Sequence, residues 1–329
     1  MNRFTKTALH WTMRGLTRGL VPLLRFRPVL RLYNAAYERA PRPALLLANR
    51  MVRRPKVDDY HWTVRLANGR RVRIPIGGGS EPGWAVALEY RRHAPGLNRL
   101  EAVLCDLLAP DAPYLDIGAN RGLRSLTALS TGRPVFMFEP NARLNAINRR
   151  NCEANGFDNA HIVAACVSDA PGSVDFYFDA TGFLSTVHGE RIEEKIVDRV
   201  ETVPAITLDA FWRETFGTAS DALIKIDAEW HERAVISGGR EMIQALSPTL
   251  IVEVQRDADL DFISGELLPA GYRVWQIDAH STAARILHPL SPPLGAGAHL
   301  PVDSRDFLFA LRPEVHDAVR PLEAPPVSS

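Results

Sequence analysis

The chain has 329 residues, of which 46% are hydrophobic, so it can bury a large core in one domain and still carry an appendage. Its formal net charge of +1 conceals an asymmetry, because residues 1–56 contain thirteen Lys and Arg and a single acidic residue, Glu38. The remaining residues carry 26 basic and 37 acidic side chains. This acidic balance argues against a nucleic-acid substrate held by its phosphates.

The three cysteines, Cys105, Cys152 and Cys166, are odd in number and show no C-x-x-C spacing. This usage predicts free buried thiols in a reducing compartment. No apolar run reaches the roughly 18 residues that a membrane span needs, and no convincing secretory signal is present. The sequence therefore predicts a cytoplasmic protein, with association at a membrane surface left open by its basic leader.

That leader runs from Met1 to about Lys56 and repeats apolar residues near helical spacing, with arginines between them. Its pattern predicts a basic amphipathic extension over 1–56 that lies on an anionic membrane or docks on a protein partner. The alternative is a helical extension packed on its own catalytic domain. A transit peptide has a similar composition but is shorter than this pattern. The apolar members are Leu9, Met13, Leu16, Leu20, Leu23 and Leu24.

Residues 57–94 are predicted to form a β-hairpin followed by a linking helix. Apolar and polar residues alternate over 61–76, and Asn68-Gly69 interrupts the alternation. Asn-Gly accepts the positive φ angles of a tight hairpin turn. The glycines at 77–79 predict only a flexible joint, because no lysine or strand context marks a phosphate loop.

The stretch Pro113–Gly122 reads Pro-Tyr-Leu-Asp-Ile-Gly-Ala-Asn-Arg-Gly and predicts a buried strand, a tight turn and a helix. The helix is expected to begin near Asn120, a good cap residue. Gly118 and Gly122 allow the backbone to turn sharply and to approach a ligand. Their spacing differs from the G-x-G-x-x-G of dinucleotide sites, and Asp116 would repel a phosphate. Asp116 instead suits an ammonium group, such as the methionine end of S-adenosylmethionine.

A second apolar strand, Val135–Phe138, ends at Glu139, about twenty residues after the first turn. A carboxylate at the tip of this strand is placed to bind the two hydroxyls of a ribose. The two strands with their acids are a stronger signal together than either is alone. We therefore assign Glu139 to the ribose and the residues of the turn to the methionine portion of the donor. Those turn residues are Asp116, Gly118, Asn120 and Gly122.

Strands and helices alternate through the rest of the chain. This alternation predicts an α/β domain over 95–312 with a doubly wound, mostly parallel sheet covered on both faces. A Pro- and Gly-rich loop is expected over 289–304, and the tail 313–329 is expected to be disordered. The predicted strands are 162–167, 174–178, 223–226, 250–254, 272–277 and 307–311, and the predicted helices are 144–155, 208–216, 235–246 and 260–270.

Three blocks together resemble the FkbM family of S-adenosylmethionine-dependent methyltransferases. They are Leu115-Asp-Ile-Gly-Ala-Asn-Arg-Gly122, Phe138-Glu-Pro-Asn141 and Ile224-Lys-Ile-Asp-Ala-Glu-Trp-His-Glu232, with Ile251-Val-Glu-Val254 as a weaker fourth. The third block is the specific one, because its set of charged residues at the tip of a buried strand is uncommon. The resemblance covers roughly residues 95–311.

This resemblance implies a Rossmann-like class I methyltransferase fold with a seven-stranded sheet. It also implies transfer of a methyl group from S-adenosylmethionine, typically to a hydroxyl of a sugar, glycan or secondary metabolite. Trp230 departs from the family pattern, which more often has glycine at that position. The indole is expected to reshape the acceptor pocket or to reduce activity.

Methyl transfer to an aliphatic hydroxyl needs alignment of the two reactants and a base for the departing proton. His231 is the predicted base, because it lies just past the tip of the strand 223–226 and an imidazole titrates near neutral pH. Asp227 and Glu229 are predicted to orient His231 or to bind the acceptor hydroxyl. The alternative for His231 is a residue at a helix N-terminus that only hydrogen-bonds a neighbour.

Further residues carry weaker assignments. Ser168 and Asp169 follow the predicted third strand and are assigned to the adenine, although an ordinary turn explains them almost as well. Glu253 is expected on the acceptor side, or else as a buried carboxylate paired with Lys225 or an arginine. No metal is predicted, because Asp227, Glu229 and His231 alternate along the chain and converge only if it stays extended. The predicted partner is a small-molecule or glycan acceptor.

Other functions find less support in the sequence. A catalytically weak or inactive member, in which Trp230 blocks the acceptor space, remains the alternative; it would act as a donor-binding protein associated with a membrane or partner through residues 1–56. An NAD-dependent oxidoreductase is opposed by the glycine spacing. Nucleic-acid base methylation lacks both an Asn/Asp-Pro-Pro-aromatic motif and a Pro-Cys nucleophile, and a serine hydrolase lacks G-x-S-x-G.

Overall fold

The structure, a computed structural model, describes residues 28, 29, 32, 60–76, 94–179, 185–191, 197–292, 294 and 300–325. The chain divides into two compact units, residues 1–64 with 73–91 and residues 65–72 with 92–329. Apart from residues 28, 29 and 32, the predicted basic leader lies outside the described residues. The glycine joint at 77–79 and the linking helix also lie outside them.

A β-hairpin is present where the alternating pattern predicts one. Strands β1 (Tyr60–Arg65) and β2 (Arg71–Ile76) form a two-stranded sheet. Gly69 in the connecting turn has a φ of +81°, which glycine adopts without strain. The Asn-Gly signal therefore gave both the position and the chemistry of this turn.

The second unit is built on an eight-stranded mixed sheet. Its spatial order is β12-β11-β13-β10-β9-β3-β4-β5, in which β3, β4, β5, β9 and β10 are parallel neighbours and β13 runs antiparallel to β10 and β11. The strands are β3 (Tyr114–Ile117), β4 (Val135–Phe138), β5 (Ala160–Val163), β9 (Leu223–Ile226), β10 (Thr249–Glu253), β11 (Arg273–Ile277), β12 (Leu287–Leu290) and β13 (Asp306–Ala310).

Helices cover both faces of this sheet, as the alternation of elements predicts. Neighbouring residues of one strand enter different hydrophobic clusters: Tyr114 of β3 packs with α1, α2 and α8, whereas Leu115 packs with α4, α5, α6 and α7. Both side chains are fully buried, and each contributes about 1.5–3 kcal/mol by leaving water. The helices are α1 (Pro95–Leu107), α2 (Ser125–Thr131), α3 (Ala142–Asn155), α4 (Leu208–Thr215), α5 (Glu232–Ser237), α6 (Arg240–Leu246), α7 (Asp257–Leu267) and α8 (Pro313–Val319).

The doubly wound fold is thus confirmed, although the sheet has eight strands among the described residues where seven were expected. The additional strand is β12, which pairs antiparallel with β11 at the edge of the sheet. Its sequence, Leu-His-Pro-Leu, carries Pro289, which cannot donate a ladder hydrogen bond and is therefore confined to edge positions. The predicted loop 289–304 begins at this proline, so its first two residues lie in β12.

A separate three-stranded sheet accounts for two further differences. It contains β6 (Cys166–Val167), β7 (Gly172–Asp179) and β8 (Val197–Ile206), in the order β6-β8-β7. The single strand predicted over 162–167 is therefore divided between two sheets. Strand β8 was not predicted, because Val203 and Ala205 are its only buried residues and Pro204 lies between them.

The tail after Arg312 is ordered over residues 313–325, so the expected disorder is wrong for that part. Helix α8 buries Val315 and Val319 in the core cluster of α1 and α2. The indole Nε1 of Trp275 donates a hydrogen bond to Glu323 at 2.8 Å. The prolines of this tail favoured the prediction of disorder. They outweighed the signal of the two valines, four residues apart, that give its short helix an apolar face.

The structure also bears on the predicted state of the cysteines and on membrane spans. Cys105, Cys152 and Cys166 are free and buried, in α1, α3 and β6 respectively. Burial raises the pKa of the Cys105 thiol to about 12, that of Cys152 to about 11 and that of Cys166 to about 12. Across the described part of the chain, no helix is both long and apolar enough to cross a membrane.

Candidate active site

The candidate site lies where the chain reverses its direction of winding across the sheet. From β3 the chain proceeds to β4 and β5 on one side, whereas β9 and β10 lie on the other side. Ligands of doubly wound sheets bind at the carboxyl ends of the strands that flank such a switch point. Here those ends carry Ile117 and Ile226, which are register partners. The loops that follow these two residues form the floor of the site.

The glycine turn after β3 is shaped by the neighbouring loop. Gly118 has a φ of +77°, and a Cβ there would lie 1.8 Å from the backbone oxygen of Asp227. Gly122 has a φ of +69°, and its Cβ would lie 2.7 Å from Asn148 Oδ1. Both glycines are thus required by contacts inside the protein, in addition to any approach of a ligand. The two loops at the switch point touch each other through Gly118.

The sequence predicted that Asn120 caps a helix, but in the structure it does not. It lies in the turn with a φ of +51°, and α2 begins five residues later, at Ser125. Its backbone N–H donates a hydrogen bond to Glu139 Oε2 at 2.9 Å. Asparagine tolerates the left-handed region better than most residues, which explains its presence in this turn. The turn is consequently tied to the tip of β4.

A row of asparagines on α3 holds the turn from the other side. The side-chain amides of Asn145, Asn148 and Asn151 donate to the backbone oxygens of Glu139, Asn120 and Arg121, at 2.6, 2.9 and 3.2 Å. These spacings of three residues place all three amides on one helix face. This row of asparagines was not predicted from the sequence. The signal in the sequence was three asparagines at helical spacing after the predicted ribose acid, and all three are buried in the structure.

Glu139 occupies the predicted position at the end of β4, with only 6% of its surface exposed. One carboxylate oxygen accepts the N–H of Asn120, and the other accepts the N–H of Asn141 at 2.8 Å. Burial raises the pKa of Glu139 to about 7, against the lowering effect of these two N–H groups. Each carboxylate oxygen can accept a further hydrogen bond. Glu139 therefore retains the acceptors that a diol requires.

Asp116 is more enclosed than the sequence suggests. Its side chain is 1% exposed; Oδ2 accepts a hydrogen bond from the Ser125 hydroxyl at 2.6 Å, and Oδ1 lies 3.9 Å from Lys225 Nζ. Burial raises the pKa of Asp116, although Lys225 and Ser125 oppose that effect. The ammonium group that faces Asp116 is thus the protein's own Lys225. Asp116 supports the turn by joining β3 to α2 and β9.

Asp227 is the accessible carboxylate at this edge. Its side chain is 30% exposed and lies 2.7 Å from Lys225 Nζ. Burial disfavours its charge, but Lys225 outweighs burial, so the pKa of Asp227 is lowered. Glu253 shares a hydrogen bond with Asp227, and this charged neighbour, together with burial, strongly raises the pKa of Glu253. The pair therefore holds one proton, carried on Glu253, and presents one negative charge on Asp227.

The loop after Asp227 turns through two residues with positive φ, Glu229 at +46° and Trp230 at +74°. Glu232 stabilises this turn, since its Oε1 accepts the backbone N–H groups of Ala228 and Trp230 at 3.2 and 3.1 Å. Burial, Asp227 and Glu232 raise the pKa of Glu229 to about 8. The turn brings a carboxyl group that titrates near neutral pH beside an ionised Asp227.

His231 is held by two side chains from outside its own loop. Its Nε2 lies 2.9 Å from the hydroxyl of Ser168, and its Nδ1 lies 3.2 Å from Nε2 of His188. Burial, followed by the proximity of His188, lowers the pKa of His231 to about 4. The ring is therefore neutral at physiological pH. The structure brings Ser168 to His231, so the two residues assigned separately to adenine and to catalysis are neighbours.

Asp227, Glu229 and His231 do not converge on one point. Within the residues that the structure describes, no group of three or more His, Cys, Asp or Glu side chains is arranged to hold a metal ion. The positive φ angles at Glu229 and Trp230 end the extended path that convergence requires.

Comparisons with known proteins bear on residues 116–274, which match the family model described as the methyltransferase FkbM domain. No curated protein is significantly similar to the chain. Among solved structures, an FkbM methyltransferase from Methylobacillus flagellatus is similar with a TM-score of 0.40 and 17% identity, covering 62% of this chain and 45% of that chain. This chain thus spans less than half the length of that protein.

Two other solved structures show the range of similar proteins. An rRNA methylase from Streptococcus thermophilus has a TM-score of 0.37 and 9% identity, covering 66% of this chain and 97% of that chain. A SAM-dependent O-methyltransferase from Thermotoga maritima has a TM-score of 0.32 and 14% identity, covering 64% and 62%. The matched segment begins at Asp116 and includes the glycine turn, Glu139 and the loop from Asp227 to Glu232. Residues 116–274, slightly less than half of the chain, thus match the family model of the methyltransferase FkbM domain.

Proposed function

We propose that the protein is an S-adenosylmethionine-dependent methyltransferase that methylates a hydroxyl group of a sugar, glycan or secondary metabolite. The observation that carries the proposal is the matched domain, whose glycine turn, Glu139 and loop from Asp227 to Glu232 follow neighbouring strands at the switch point of the sheet. S-adenosylmethionine supplies an electrophilic methyl group when bound. The chain's own residues bind that donor, orient the acceptor and accept its proton.

The residues at the switch point fit a donor that carries hydroxyls and an ammonium group. Glu139 offers unused acceptor capacity for the ribose hydroxyls, and Asn120 fixes its orientation. Asp227, ionised and 30% exposed, would bind the methionine ammonium group, while the enclosed Asp116 acts through Lys225. Gly118 and Gly122 let the turn lie close against the loop after β9. Ser168 and Asp169 are proposed at the adenine end of the donor.

The acceptor side of the proposal rests on His231, Asp227 and Glu229. His231 is neutral and therefore able to accept the proton that leaves the hydroxyl. Glu229, with a pKa raised to about 8, supplies a second group able to exchange a proton at neutral pH. Asp227 is proposed to bind the acceptor hydroxyl. Asp169, whose charge favours the protonated form of His231, stabilises the positive charge that develops on this base. We propose a small-molecule or glycan acceptor, because residues 57–329 are acidic overall.

Calorimetric titration tests the donor assignment first. The full chain is expected to bind S-adenosylmethionine and S-adenosylhomocysteine at micromolar level and to ignore NAD. Glu139→Ala is expected to weaken donor binding about tenfold or more, whereas Glu153→Ala, at an exposed position on α3, serves as the control. Binding of NAD in place of the two sulfur compounds would overturn the proposal.

An acceptor screen tests the reaction. Hydroxylated sugars, glycans and small metabolites, with structured RNA as the comparison, are assayed by release of S-adenosylhomocysteine. His231→Ala is expected to leave donor affinity unchanged and to slow turnover by at least tenfold. An unchanged rate with a confirmed acceptor would remove His231 from the mechanism, and methylation of RNA alone would overturn the acceptor class.

The second candidate function is a donor-binding protein without turnover. The observation that favours it is the φ of +74° at Trp230. A bulky residue in the left-handed region strains the backbone, and an acceptor pocket gains nothing evident from that strain. In that case residues 1–56 would bring the protein to an anionic membrane or a protein partner. Donor binding without product, and product formation by Trp230→Gly, would distinguish it from the first function.

A further inference from the structure

A chain of hydrogen-bonding side chains leads from His231 to the protein surface. His231 Nδ1 lies 3.2 Å from His188 Nε2, and His188 Nδ1 lies 3.2 Å from Glu190 Oε1. The exposed fraction rises along it, because the side chain of His188 is 28% exposed and that of Glu190 is 66% exposed. The site thus has a continuous polar path to solvent through residues outside its own loop.

The charge of Glu190 gives this path a direction. An exposed carboxylate is ionised at neutral pH and only accepts hydrogen bonds, so His188 Nδ1 must carry a hydrogen. A neutral His188 then has a bare Nε2, which accepts a hydrogen from His231 Nδ1. The remaining ring nitrogen of His231, Nε2, is left without a hydrogen and accepts from Ser168 or from a substrate hydroxyl. A single exposed carboxylate therefore fixes the tautomers of two histidines.

The segment that carries His188 is anchored beside the catalytic turn. Thr186 is fully buried; its hydroxyl donates to the backbone oxygen of Glu229 at 2.7 Å and accepts the backbone N–H of His188 at 3.1 Å. Thr186 also pairs with Tyr177 of β7 through two backbone hydrogen bonds. The position of His188 relative to His231 is consequently set by these four hydrogen bonds of Thr186, which favours a defined role for the His188 ring.

We propose that His188 and Glu190 complete a proton relay that begins at His231 and carries the acceptor's proton to solvent, a role that rests on the proposed transfer to a hydroxyl. As the acceptor oxygen gains the methyl group, its O–H bond breaks and the proton passes to His231 Nε2. The Nδ1 hydrogen of His231 moves to His188 Nε2, and the Nδ1 hydrogen of His188 leaves to Glu190 and water. Each ring ends neutral and returns to its first tautomer by rotation or exchange.

The charged groups around the relay agree with this direction. Asp169 Oδ1 lies 3.1 Å from the Ser168 hydroxyl oxygen and accepts its single hydrogen when a substrate hydroxyl takes the place of Ser168 at His231 Nε2. The charge of Asp169 favours the protonated form of His231, whereas burial and His188 disfavour it. Arg191 lies 3.3 Å from Glu190 Oε1 and helps to keep that carboxylate ionised. A proton that reaches His231 is therefore driven outward, toward the exposed end of the path.

Nitrogen-15 NMR of the full chain with labelled histidine tests the tautomers without any acceptor. The relay requires hydrogens on Nδ1 of both His231 and His188; a hydrogen on His231 Nε2 would overturn it. Glu190→Gln is expected to mix the tautomers of both rings. His280→Gln, at an exposed position on another loop, is the matched control and leaves both spectra unchanged. This arm decides the relay even if the proposed methylation is wrong.

Kinetics with a methylated acceptor form the second arm. His188→Gln keeps a polar side chain but cannot pass a proton, and it is expected to lower kcat about tenfold or more while the KM values for donor and acceptor stay unchanged. Its rate should also rise more steeply with pH than that of the wild type. An unchanged kcat and pH profile would overturn the relay and leave the methyltransferase assignment standing; absent donor binding in the wild type would overturn that assignment instead.

Discussion

At the scale of single residues, the site is organised by carboxyl groups whose pKa values differ widely. Asp227 is ionised because Lys225 lies 2.7 Å away, whereas burial raises the pKa of Glu139 to about 7. The sequence placed these acids at strand tips, and their positions were predictable because strand ends are visible in apolar runs. Their protonation states were not predictable, since they depend on Lys225 and on burial across neighbouring strands.

The first residue-scale prediction concerns Trp230. We expect Trp230→Gly to be more stable than Trp230→Ala by about 1 kcal/mol, because only glycine relieves the left-handed φ of +74° while both variants lose the indole. Urea unfolding of the two variants measures the difference. Equal stabilities would mean that the backbone relaxes at this position, and the strain argument would fail.

The second residue-scale prediction concerns Glu139. If its carboxylate accepts the ribose hydroxyls, donor affinity should rise through a pH of about 7, where Glu139 loses its proton. We expect binding roughly tenfold weaker at pH 6 than at pH 8, with the pH dependence largely absent in Glu139→Gln. Calorimetry at both pH values makes the comparison. The same slope in both proteins would assign it to another group.

At the scale of elements, the strands of the parallel sheet were the most predictable part of the molecule. Strand β9 has the predicted bounds 223–226, since a strand buried on both faces reads as an uninterrupted apolar run. The start of α2 was mispredicted, because the turn after β3 is extended by its attachment to Glu139 and α3. In the small sheet only β8 was missed, because most of its residues are exposed and its buried apolar alternation is confined to its C-terminal end.

The element-scale prediction tests the asparagine row of α3. Asn148→Ala removes the amide that supports the Asn120 backbone oxygen, so we expect about 1–3 kcal/mol lower stability and weaker donor binding. Asn155→Ala is the matched control on the same helix, because its amide donates to Asn151 within α3. Equal donor affinity in the two variants would separate the row from the site and leave it a packing feature.

At the scale of the whole molecule, three buried carboxyl groups link stability to pH. Burial raises the pKa of Glu101, Glu139 and Glu232 to about 7 each. Because the folded state holds these protons and the unfolded state does not, stability falls as pH rises through 7. His231, with a pKa lowered to about 4, has the opposite effect, but only below about 6.5, where the unfolded imidazole is protonated.

We therefore expect the free energy of unfolding to decrease between pH 6.5 and pH 8, by roughly 1 kcal/mol for each such carboxyl group. Glu101→Gln should reduce this decrease, since Glu101 is fully buried beside Tyr114 and Arg124. Urea titrations at the two pH values provide the measurement. Stability that stays constant or increases over this interval would contradict the assigned protonation states.

The alkylation rates of the three buried cysteines report how often three parts of the folded chain open. A thiol reacts with an alkylating reagent only as an accessible thiolate, and Cys105, Cys152 and Cys166 offer neither property while their surroundings stay closed. Each belongs to a different element, namely α1, α3 and β6. The order in which the three thiols of the native protein react therefore ranks how often each region opens. The opening rate of α3, the helix that holds the glycine turn, can be measured separately from those of the other two elements.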